Sequence, residues 1–400
     1  MTRKVLYFAI VSKDFGGIEQ KIIGQFDSLK NLNIDLSLIL ICKFKLGSVF
    51  QQEIDKREGI EVLVNSSNNI SNPWKRRKEK FNLISNTLKK YDPEDTIVYF
   101  RDPWADINFK RFLKNNSQYL FFTEHQDIEN TLLRGKIRGR LIINALEILW
   151  GKQYRRYVTG FVGVTEEITC YEKKVAKGKR HYFKTIGNGI DLKKYPLRTP
   201  GQDPENSEIR ILFVGSGFRT HGIDRLIKSI DGYLRANENP RQIILKVAGD
   251  SHEMHLNKRL ANRLGLSAKV IFTGNLDSSD LDHLFDWATI GAGSLGIHRK
   301  GLKLTSELKA REYCARGLPF FWSTNDSDFI PDWRYSLQIP ENNRRFNMDP
   351  IISFADRMKA DRSHHIIMRQ YASEHLDWNV KMRELVSFFE EVINLTDTKG

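Results

Sequence analysis

The chain has 400 residues, of which 40% are hydrophobic and 11% aromatic, so it is long enough for two domains and too apolar to be disordered. It carries 63 Lys and Arg against 49 Asp and Glu, and the net charge of +14 favours anionic partners without choosing among them. No run of about 18 uncharged apolar residues occurs, so the sequence predicts no membrane-spanning helix.

A short apolar run at the start, Val5–Val11, could be a signal peptide or a first buried strand. It leads directly into charged residues without a small-residue cleavage site, which favours the strand. The three cysteines, Cys42, Cys170 and Cys314, are far apart and form no CxxC pair or Cys/His cluster. They predict free thiols in a reducing cytoplasm, and neither a metal site nor a disulfide framework.

The first half of the chain alternates apolar, strand-length runs with helix-length segments. The runs are rich in Val, Ile, Leu and Phe and mostly lack polar alternation, as in parallel strands that are buried on both faces. Segments such as Ile18–Leu32 and Phe81–Tyr91 have helical length, so the pattern predicts an α/β sheet with crossover helices. The candidate strands are Val5–Ile10, Leu36–Ile41, Glu61–Val64, Ile97–Phe100, Tyr119–Thr123, Phe161–Val164 and Phe183–Ile186.

A polar segment rich in proline, Lys194–Ser207, interrupts this alternation and is typical of a linker. The alternation then resumes, and Asp377–Leu395 has apolar residues at the spacing of a terminal helix. The sequence therefore predicts a domain over 1–193, a linker over 194–207, a second α/β domain over 208–370 and a C-terminal helical segment over 371–400. The later candidate strands are Ile209–Val214, Ile243–Ala248, Val270–Thr273, Ile290–Ala292 and Leu318–Trp322.

Ligands of such folds bind beyond the carboxyl ends of the strands, so we expect the chemistry in loops that line a cleft between two facing sheets. After the first strand, Gly16 and Gly17 lead into a helix whose backbone N–H groups can face an anion, although a ligand-free tight turn would look the same. His125 ends the fifth strand. It could donate a hydrogen bond to a sugar hydroxyl or a phosphate, or be a structural histidine bonded to a loop carbonyl.

The first loop of the second domain combines glycine with basic residues. Gly215 follows the strand, and Arg219 and His221 precede a helix that is predicted to start near Ile223. A guanidinium fork suits a diphosphate, so Arg219 is a candidate ligand of such a group.

The most informative segment is His298–Pro319. Ser306 is predicted to cap a helix that runs to about Ala315, with Gly317 at its C-terminal end. Glu312 lies two turns into that helix, where a carboxylate could accept both hydroxyls of a ribose. Cations near a helix N-terminus predict a site for a strongly charged anion such as a nucleotide diphosphate, and the cations here are Arg299, Lys300, Lys303 and Lys309.

Several of these motifs together resemble those of the GT-B glycosyltransferases, specifically the family 4 retaining enzymes (glycosyl transferases group 1) of capsule and lipopolysaccharide biosynthesis. The resemblance covers nearly the whole chain, in order. The matching motifs are Gly16-Gly17, Asn188-Gly189-Ile190-Asp191, Val214-Gly215 with His221-Gly222-Ile223-Asp224, Val247-Ala248-Gly249-Asp250, Phe272-Thr273-Gly274, Glu312 with Ala315, Gly317 and Pro319, and Trp378 of the final helix.

The resemblance implies two Rossmann-like domains facing across a cleft, with a final helix that packs back toward the first domain. It implies a nucleotide-sugar donor held mainly by the second domain, a saccharide or lipid-linked saccharide acceptor on the first, retention of configuration, no metal and no cofactor. The catalytic candidates are His125, Arg219, His221 and Lys309. The donor-binding candidates are Gly16, Gly17, Gly215, Gly249, Lys300, Lys303, Ser306, Glu307, Leu308 and Glu312.

The chain also departs from the family pattern. Ser216 occupies the arginine position of the family and His221 its lysine position, so nearby cations such as Arg219 would have to compensate. The first glutamate of the family's pair falls at Leu304, which cannot bind a sugar hydroxyl, and Glu307 is its candidate replacement. These departures favour, as an alternative, a non-catalytic subunit of a polysaccharide assembly complex. A sugar-nucleotide epimerase, which shares the two-domain plan, is a further alternative.

Two stretches of the first domain, Trp74–Phe81 and Leu133–Tyr157, are basic and apolar together. They suit either the anionic inner face of a membrane, where the protein would bind peripherally, or a solvated helix face. Nucleic-acid binding is a third interpretation of the positive charge. The basic residues lie in no helix-turn-helix, zinc or RNA-binding signature, so no nucleic-acid partner is expected.

Overall fold

The computed structural model describes residues 3–65, 72–101, 104–128, 138–176, 181–199 and 208–398, with no side-chain description for residues 138–141. The chain forms two compact units: residues 1–188 with 378–400 are unit 1, and residues 189–377 are unit 2. Each unit is built on one parallel sheet with helices, which is the predicted α/β architecture.

Unit 1 has a seven-stranded sheet in the order β3-β2-β1-β4-β5-β6-β7, with every neighbouring pair parallel. Its strands are β1 Lys4–Val11, β2 Leu36–Cys42, β3 Ile60–Val64, β4 Thr96–Arg101, β5 Leu120–His125, β6 Gly160–Gly163 and β7 Tyr182–Thr185. Its helices are α1 Gly17–Asn31, α2 Ser48–Asp55, α3 Pro73–Leu88, α4 Ile107–Asn115, α5 Arg138–Leu146, α6 Lys152–Arg155, α7 Glu166–Val175 and the C-terminal α14 Trp378–Asp397, with a π-helical turn at Glu147–Gly151.

Alternate residues of the central strands face two separate apolar layers. Tyr7 joins the layer that contains α1 and α14, whereas Phe8 joins the layer that contains α3 and α4. Burial on both faces explains why these strands show no polar alternation in the sequence. The final helix belongs to the first layer: Phe389 contacts Phe122 at 4.6 Å between ring centroids, and the indole of Trp378 lies directly against Gly24.

Unit 2 has a six-stranded sheet in the order β10-β9-β8-β11-β12-β13. Its strands are β8 Glu208–Val214, β9 Gln242–Ala248, β10 Val270–Gly274, β11 Ile290–Ala292, β12 Phe320–Trp322 and β13 Ser336–Gln338. Its helices are α8 Ile223–Ala236, α9 Met254–Arg263, α10 Ser278–Trp287, α11 Leu308–Arg316, α12 Asp349–Ala360 and α13 His364–Tyr371, with 3₁₀ turns at Arg219–His221 and Ile297–Lys300 and a π-helical turn at Ala372–Leu376.

Each strand predicted from the sequence is present, with ends within two residues of the expectation. The short β13 was missed because its three residues are partly exposed and form no apolar run. Helix α3 begins well before the predicted Phe81, because Asn72 caps it by accepting from Trp74 N at 2.9 Å and Pro73 suits the first turn.

Unit 1 ends at Asn188, earlier than the expected linker over 194–207. The chain returns to unit 1 at Trp378, whereas the C-terminal segment was expected to begin at residue 371. Residues 189–199 instead pack within unit 2. Arg198 is buried there, its backbone N–H donates to Arg316 O, and its guanidinium donates to Ala288 O at 2.5 Å. Residues 200–207 of the predicted linker lie outside the described part of the chain.

Candidate functional site

The strand order of unit 2 reverses between β8 and β11, so the loops that follow these two strands lie side by side at the carboxyl edge of the sheet. Such a switch point is where open α/β sheets bind ligands. The backbone is tightly packed here. Gly215 and Gly249 have φ of 142° and 119°, and a Cβ on Gly249 would lie 2.4 Å from the carbonyl oxygen of Gly215. Only glycine fits this close approach of the loops after β8 and β9.

Tyr313 of α11 connects that helix to both strands of the switch point. Its side chain is fully buried, and its hydroxyl oxygen accepts from Val214 N at 3.1 Å. The same hydroxyl lies 3.0 Å from the carbonyl oxygen of Ala292 at the end of β11. The position of α11 relative to the two loops is therefore fixed by one side chain.

Helix α11 begins at Leu308, and Glu307 rather than the predicted Ser306 occupies its N-cap position, without a side-chain cap. The Glu307 carboxylate accepts from Ser294 N at 3.0 Å and does not cap the helix. Gly317 ends the helix with φ of 74°, as predicted, and Leu318 N donates to Tyr313 O. Because this turn includes Leu318, β12 begins at Phe320 and not at the predicted Leu318.

Lys309 is the cation that unit 2 places at the switch point. Its ammonium group is almost buried, donates to Ser294 Oγ at 3.2 Å and lies 4.3 Å from the centroid of the Phe213 ring. A Cβ added to Gly215 would lie 3.5 Å from the ammonium nitrogen, in van der Waals contact, so the loop after β8 runs directly beside the charge.

Two carboxylate oxygens of Glu307 accompany this ammonium group. Oε2 lies 4.0 Å from the Lys309 nitrogen, and Oε1 is buried without a hydrogen-bond partner among the described residues. Burial lowers the pKa of Lys309 to about 8, opposed by the attraction of Glu307. Burial also raises the pKa of Glu307 above its ordinary value, opposed by Lys309 and by the bonds from Ser294. The pair is thus poorly solvated and only partly self-compensating.

His221 sits beside the same space, with a Cε1 atom 3.7 Å from where a Gly215 Cβ would lie. Burial, with Lys309 and Lys300 nearby, holds the pKa of His221 well below its ordinary value. The imidazole is therefore neutral at physiological pH. It can donate or accept a hydrogen bond but cannot supply the positive charge of a lysine at this position.

The other predicted basic residues lie in the loops around this switch point. Arg219 is exposed, its backbone N–H donates to Glu253, and its carbonyl oxygen accepts from Arg299. Arg299 is compensated by a two-point ion pair with Asp224. Lys300 ends a 3₁₀ turn and Lys303 is exposed in the loop before α11.

Glu312 lies on α11 one turn beyond Lys309, so the two side chains share a face of the helix. Its carboxylate accepts from Arg316 Nε at 3.0 Å, and Arg316 also pairs with Asp282 of α10. Burial raises the pKa of Glu312, opposed by Arg316. Leu308 opens the helix and Ser306 precedes it, both partly exposed, while Leu304 is held in a short bridge to Asn325.

His125 does not have the free side chain that its position at the end of β5 suggested. It is 2% exposed, its Nε2 lies 2.9 Å from Thr123 Oγ1, and its Nδ1 lies 3.4 Å from a carboxylate oxygen of Glu172 on α7. Glu172 in turn binds the buried Arg155. These contacts correspond to a structural histidine, with side-chain partners in place of the expected loop carbonyl.

The Gly16-Gly17 turn after β1 is also internally satisfied. The backbone N–H groups of Ser12 and Gly16 both donate to the carboxylate of Glu19, at 3.1 Å each. Glu19 is buried, so a carboxylate of the chain occupies the position where a bound anion was expected. The turn therefore matches the ligand-free alternative.

The sequence reasoning missed Ser294 and Tyr313, which hold Lys309 and α11 in place, and Glu19, which fills the first glycine turn. Ser294 had a weak signal, since it follows a predicted strand end in a Gly-Ser pair. Among the described residues no cluster of three or more His, Cys, Asp or Glu could hold a metal ion, and the prediction of a metal-free reaction stays a prediction. No described helix is long and apolar enough to cross a bilayer.

Comparison with known proteins agrees with this geometry. Residues 200–291 match the family model of glycosyl transferases group 1. No curated protein sequence matches the chain. The matched segment covers β8 to β11, which carry two of the loops at the unit 2 switch point.

Solved structures share the architecture over almost the whole chain. Sucrose-phosphate synthase from Thermosynechococcus elongatus has a TM-score of 0.66 at 14% identity, covering 98% of this chain and 100% of that one. HepE from Anabaena, solved with UDP and glucose, has a TM-score of 0.65 at 13% identity, covering 97% and 99%. The apo form of the lipopolysaccharide outer core galactosyltransferase WaaB has 0.59 at 14% identity, covering 96% and 99%.

These structures define the fold as GT-B, the two-domain α/β class that the motifs predicted. The family match over residues 200–291 supports transferase activity. At these identities the likeness establishes the architecture, and the reaction, donor and acceptor of this chain are inferred from its own residues below.

Tyr313→Phe should lower the free energy of unfolding of unit 2 by about 1–3 kcal/mol, because the buried Tyr313 hydroxyl that joins Val214 N to Ala292 O would be lost. Urea denaturation followed by circular dichroism measures the change. Tyr233→Phe is the matched control, since that partly buried hydroxyl accepts from a single backbone amide, that of Arg241. Equal stabilities for wild type and Tyr313→Phe would contradict the role assigned to this hydroxyl.

Proposed function

We propose that the chain is a hexosyltransferase-type glycosyltransferase that moves a sugar from a nucleotide-diphosphate donor to a saccharide acceptor. The reaction proceeds with retention of configuration and without a metal or another cofactor. The acceptor is lipid-linked, and the product belongs to a cell-surface polysaccharide such as a capsule or lipopolysaccharide. The match to glycosyl transferases group 1 supports the reaction class, and WaaB supports the lipopolysaccharide setting only by analogy.

The observation that carries this proposal is the nearly buried ammonium of Lys309 beside the glycine loop after β8. A departing nucleotide diphosphate needs fixed positive charge, and a preorganised cation in a poorly solvated site supplies it most effectively. The backbone of Gly215 runs beside this ammonium, and the N-terminus of α11 adds a favourable dipole for a phosphate. HepE, a neighbour in fold, was solved with UDP and glucose, which supports a nucleotide ligand here.

In this proposal Lys309 takes over the charge that the family places in the loop after β8, while neutral His221 contributes a hydrogen bond. Glu312 binds the donor ribose. Glu307 lies 4.0 Å from the Lys309 nitrogen and accepts from Ser294 N, so it orients the lysine from the side of β11. The non-catalytic alternative, which Leu304 and His221 favour, predicts that no donor is turned over.

The direct test is a panel of nucleotide sugars, screened by thermal shift and then assayed for donor hydrolysis and transfer in the presence of EDTA. A cognate donor should raise the melting temperature, because a ligand that binds the native state stabilises it. Lys309→Met should weaken donor binding by about 1.5–3 kcal/mol, the range for a charged hydrogen bond. Lys246→Met, a lysine of β9 over Trp287, is the control and should leave binding unchanged. Binding without hydrolysis or transfer would support the non-catalytic alternative.

Donor affinity should also depend on pH through Lys309. Its pKa of about 8 means that the ammonium is mostly charged near pH 7 and mostly neutral near about pH 9. Calorimetric titration with UDP should therefore show affinity falling as pH rises through about 8, with a shallower fall in Lys309→Met. The same slope in wild type and variant would show that another group controls the dependence.

Glu312→Ala should weaken nucleotide-sugar binding by on the order of 1–3 kcal/mol, as for the loss of a charged hydrogen-bond partner. Because Glu312 also binds Arg316, the variant could act by loosening that arginine. Asp282→Asn removes the other carboxylate from Arg316 and is the matched control. Calorimetry should show a loss in the first variant only, and unchanged donor affinity in Glu312→Ala would contradict the ribose assignment.

We further propose that unit 1 contacts an anionic membrane surface peripherally, at the inner face of the membrane. Ile142, Ile148 and Leu149 expose 62%, 65% and 59% of their surface beside exposed Lys152 and Arg156. Apolar side chains beside cations suit an acidic lipid surface. Leu133–Ile137 of this stretch lie outside the described residues. The three unpaired cysteines are consistent with a reducing compartment.

Flotation with liposomes tests this contact. The wild type should bind vesicles that contain acidic phospholipid and should not bind neutral ones. Replacing both Ile148 and Leu149 by Glu should remove most of the binding, while Leu256→Glu, an equally exposed position of unit 2, should not. Absence of binding to acidic vesicles would refute the membrane contact without affecting the proposed reaction.

A further inference from the structure

Trp104, which follows β4, combines two unfavourable features. Its backbone has φ of 72°, in the left-handed region that bulky residues rarely adopt, and 54% of its surface is exposed. A strained backbone persists only where its surroundings impose it, and such residues concentrate at ligand sites. An exposed indole in this conformation is therefore a candidate contact for a ligand.

The conformation of Trp104 is imposed by Arg77 of α3. The Arg77 guanidinium donates to the carbonyl oxygen of Trp104 at 2.8 Å and forms an ion pair with Asp106. Asp106 is itself buried and caps α4 by accepting from Phe109 N at 2.7 Å. The turn is thus fixed between two helices, so the indole is presented from a rigid support.

The location of Trp104 is the switch point of unit 1. The parallel strands β1 and β4 are neighbours in the sheet order β3-β2-β1-β4-β5, and successive strands are added on opposite sides of this pair. The loop after β1 and the loop that carries Trp104 therefore flank the same crevice at the carboxyl edge, where ligands of open α/β sheets bind.

The chemistry of this crevice disfavours an anion. The Glu19 carboxylate already accepts from the N–H groups of Ser12 and Gly16, the groups that would otherwise bind a phosphate. In the loop after β1, the exposed side chains of Lys13 and Asp14 can instead bind hydroxyl groups, while the Ser12 hydroxyl is engaged by Asp14 O and Glu19. A broad aromatic face with a polar rim suits a neutral pyranose ring, whose C–H face stacks on the indole while its hydroxyls meet the rim.

We propose that Trp104 is a stacking platform for a sugar ring of the acceptor, at the switch point of unit 1. That the bound sugar is the acceptor rests on the proposed glycosyltransferase function. The saccharide site itself is argued from unit 1 alone.

Saturation-transfer NMR tests the site without requiring turnover. The probes are the methyl α- and β-pyranosides of glucose, galactose, mannose and N-acetylglucosamine at millimolar concentration. Wild type should saturate the ring protons of at least one glycoside, Trp104→Phe should retain most of that signal, and Trp104→Gly should lose it. Phe44→Gly is the matched control, because Phe44 is an exposed aromatic residue in the loop after β2, on the same edge but away from the switch point.

The melting temperature provides a second readout. Glycine adopts positive φ without strain, so Trp104→Gly should melt at the same or a higher temperature than wild type while losing the saccharide signal. No saturation of any probe by wild type, an unchanged signal in Trp104→Gly, or a lower melting temperature in that variant would each overturn the platform. Loss of liposome flotation in Trp104→Gly with the saccharide signal intact would assign the indole to a membrane contact instead. Absence of donor hydrolysis would refute the glycosyltransferase function and leave the saccharide result standing.

Discussion

The site of unit 2 depends on a positive charge held almost out of water. Among the residues that the structure describes, the Lys309 ammonium donates to Ser294 Oγ alone and has Glu307 at 4.0 Å. A charge so poorly solvated is costly, and the lowered pKa expresses that cost. An arriving diphosphate would relieve it. Tyr313, which ties α11 to the ends of β8 and β11, maintains this arrangement.

The two units share a strand order around their switch points but differ there in electrostatics. In unit 1 the donors after the first strand are satisfied by Glu19, and an aromatic face is exposed next to them. In unit 2 the corresponding loop runs beside an incompletely compensated cation. In the proposed reaction, the switch point of unit 1 takes the neutral sugar of the acceptor and that of unit 2 takes the phosphates of the donor.

The fold was largely predictable because strands buried on both faces leave continuous apolar runs, as in Val5–Ile10 and Ile243–Ala248. The site was only partly predictable. Lys309 and Gly215 could be chosen from helix position and turn chemistry, but the partners of His125 come from α7, far along the chain. Nothing local distinguishes a histidine that faces solvent from one that a distant glutamate has already bound. The strain at Trp104 likewise arises from Arg77 and leaves no sequence pattern.

In the proposed reaction, the two departures that remove positive charge from the loop after β8, Ser216 and His221, have a common physical explanation. A cation on α11 reaches the loop after β8 as well as a cation within that loop would, so the charge can move between elements while its position in space is kept. Lys309 lies beside Gly215 although Ser216 and His221 are uncharged. The match to glycosyl transferases group 1 ends at residue 291, before the segment that carries this substitute charge. A sequence motif that specifies which position is positively charged does not find Lys309. In the proposed reaction, the electrostatic requirement for the leaving diphosphate is still met.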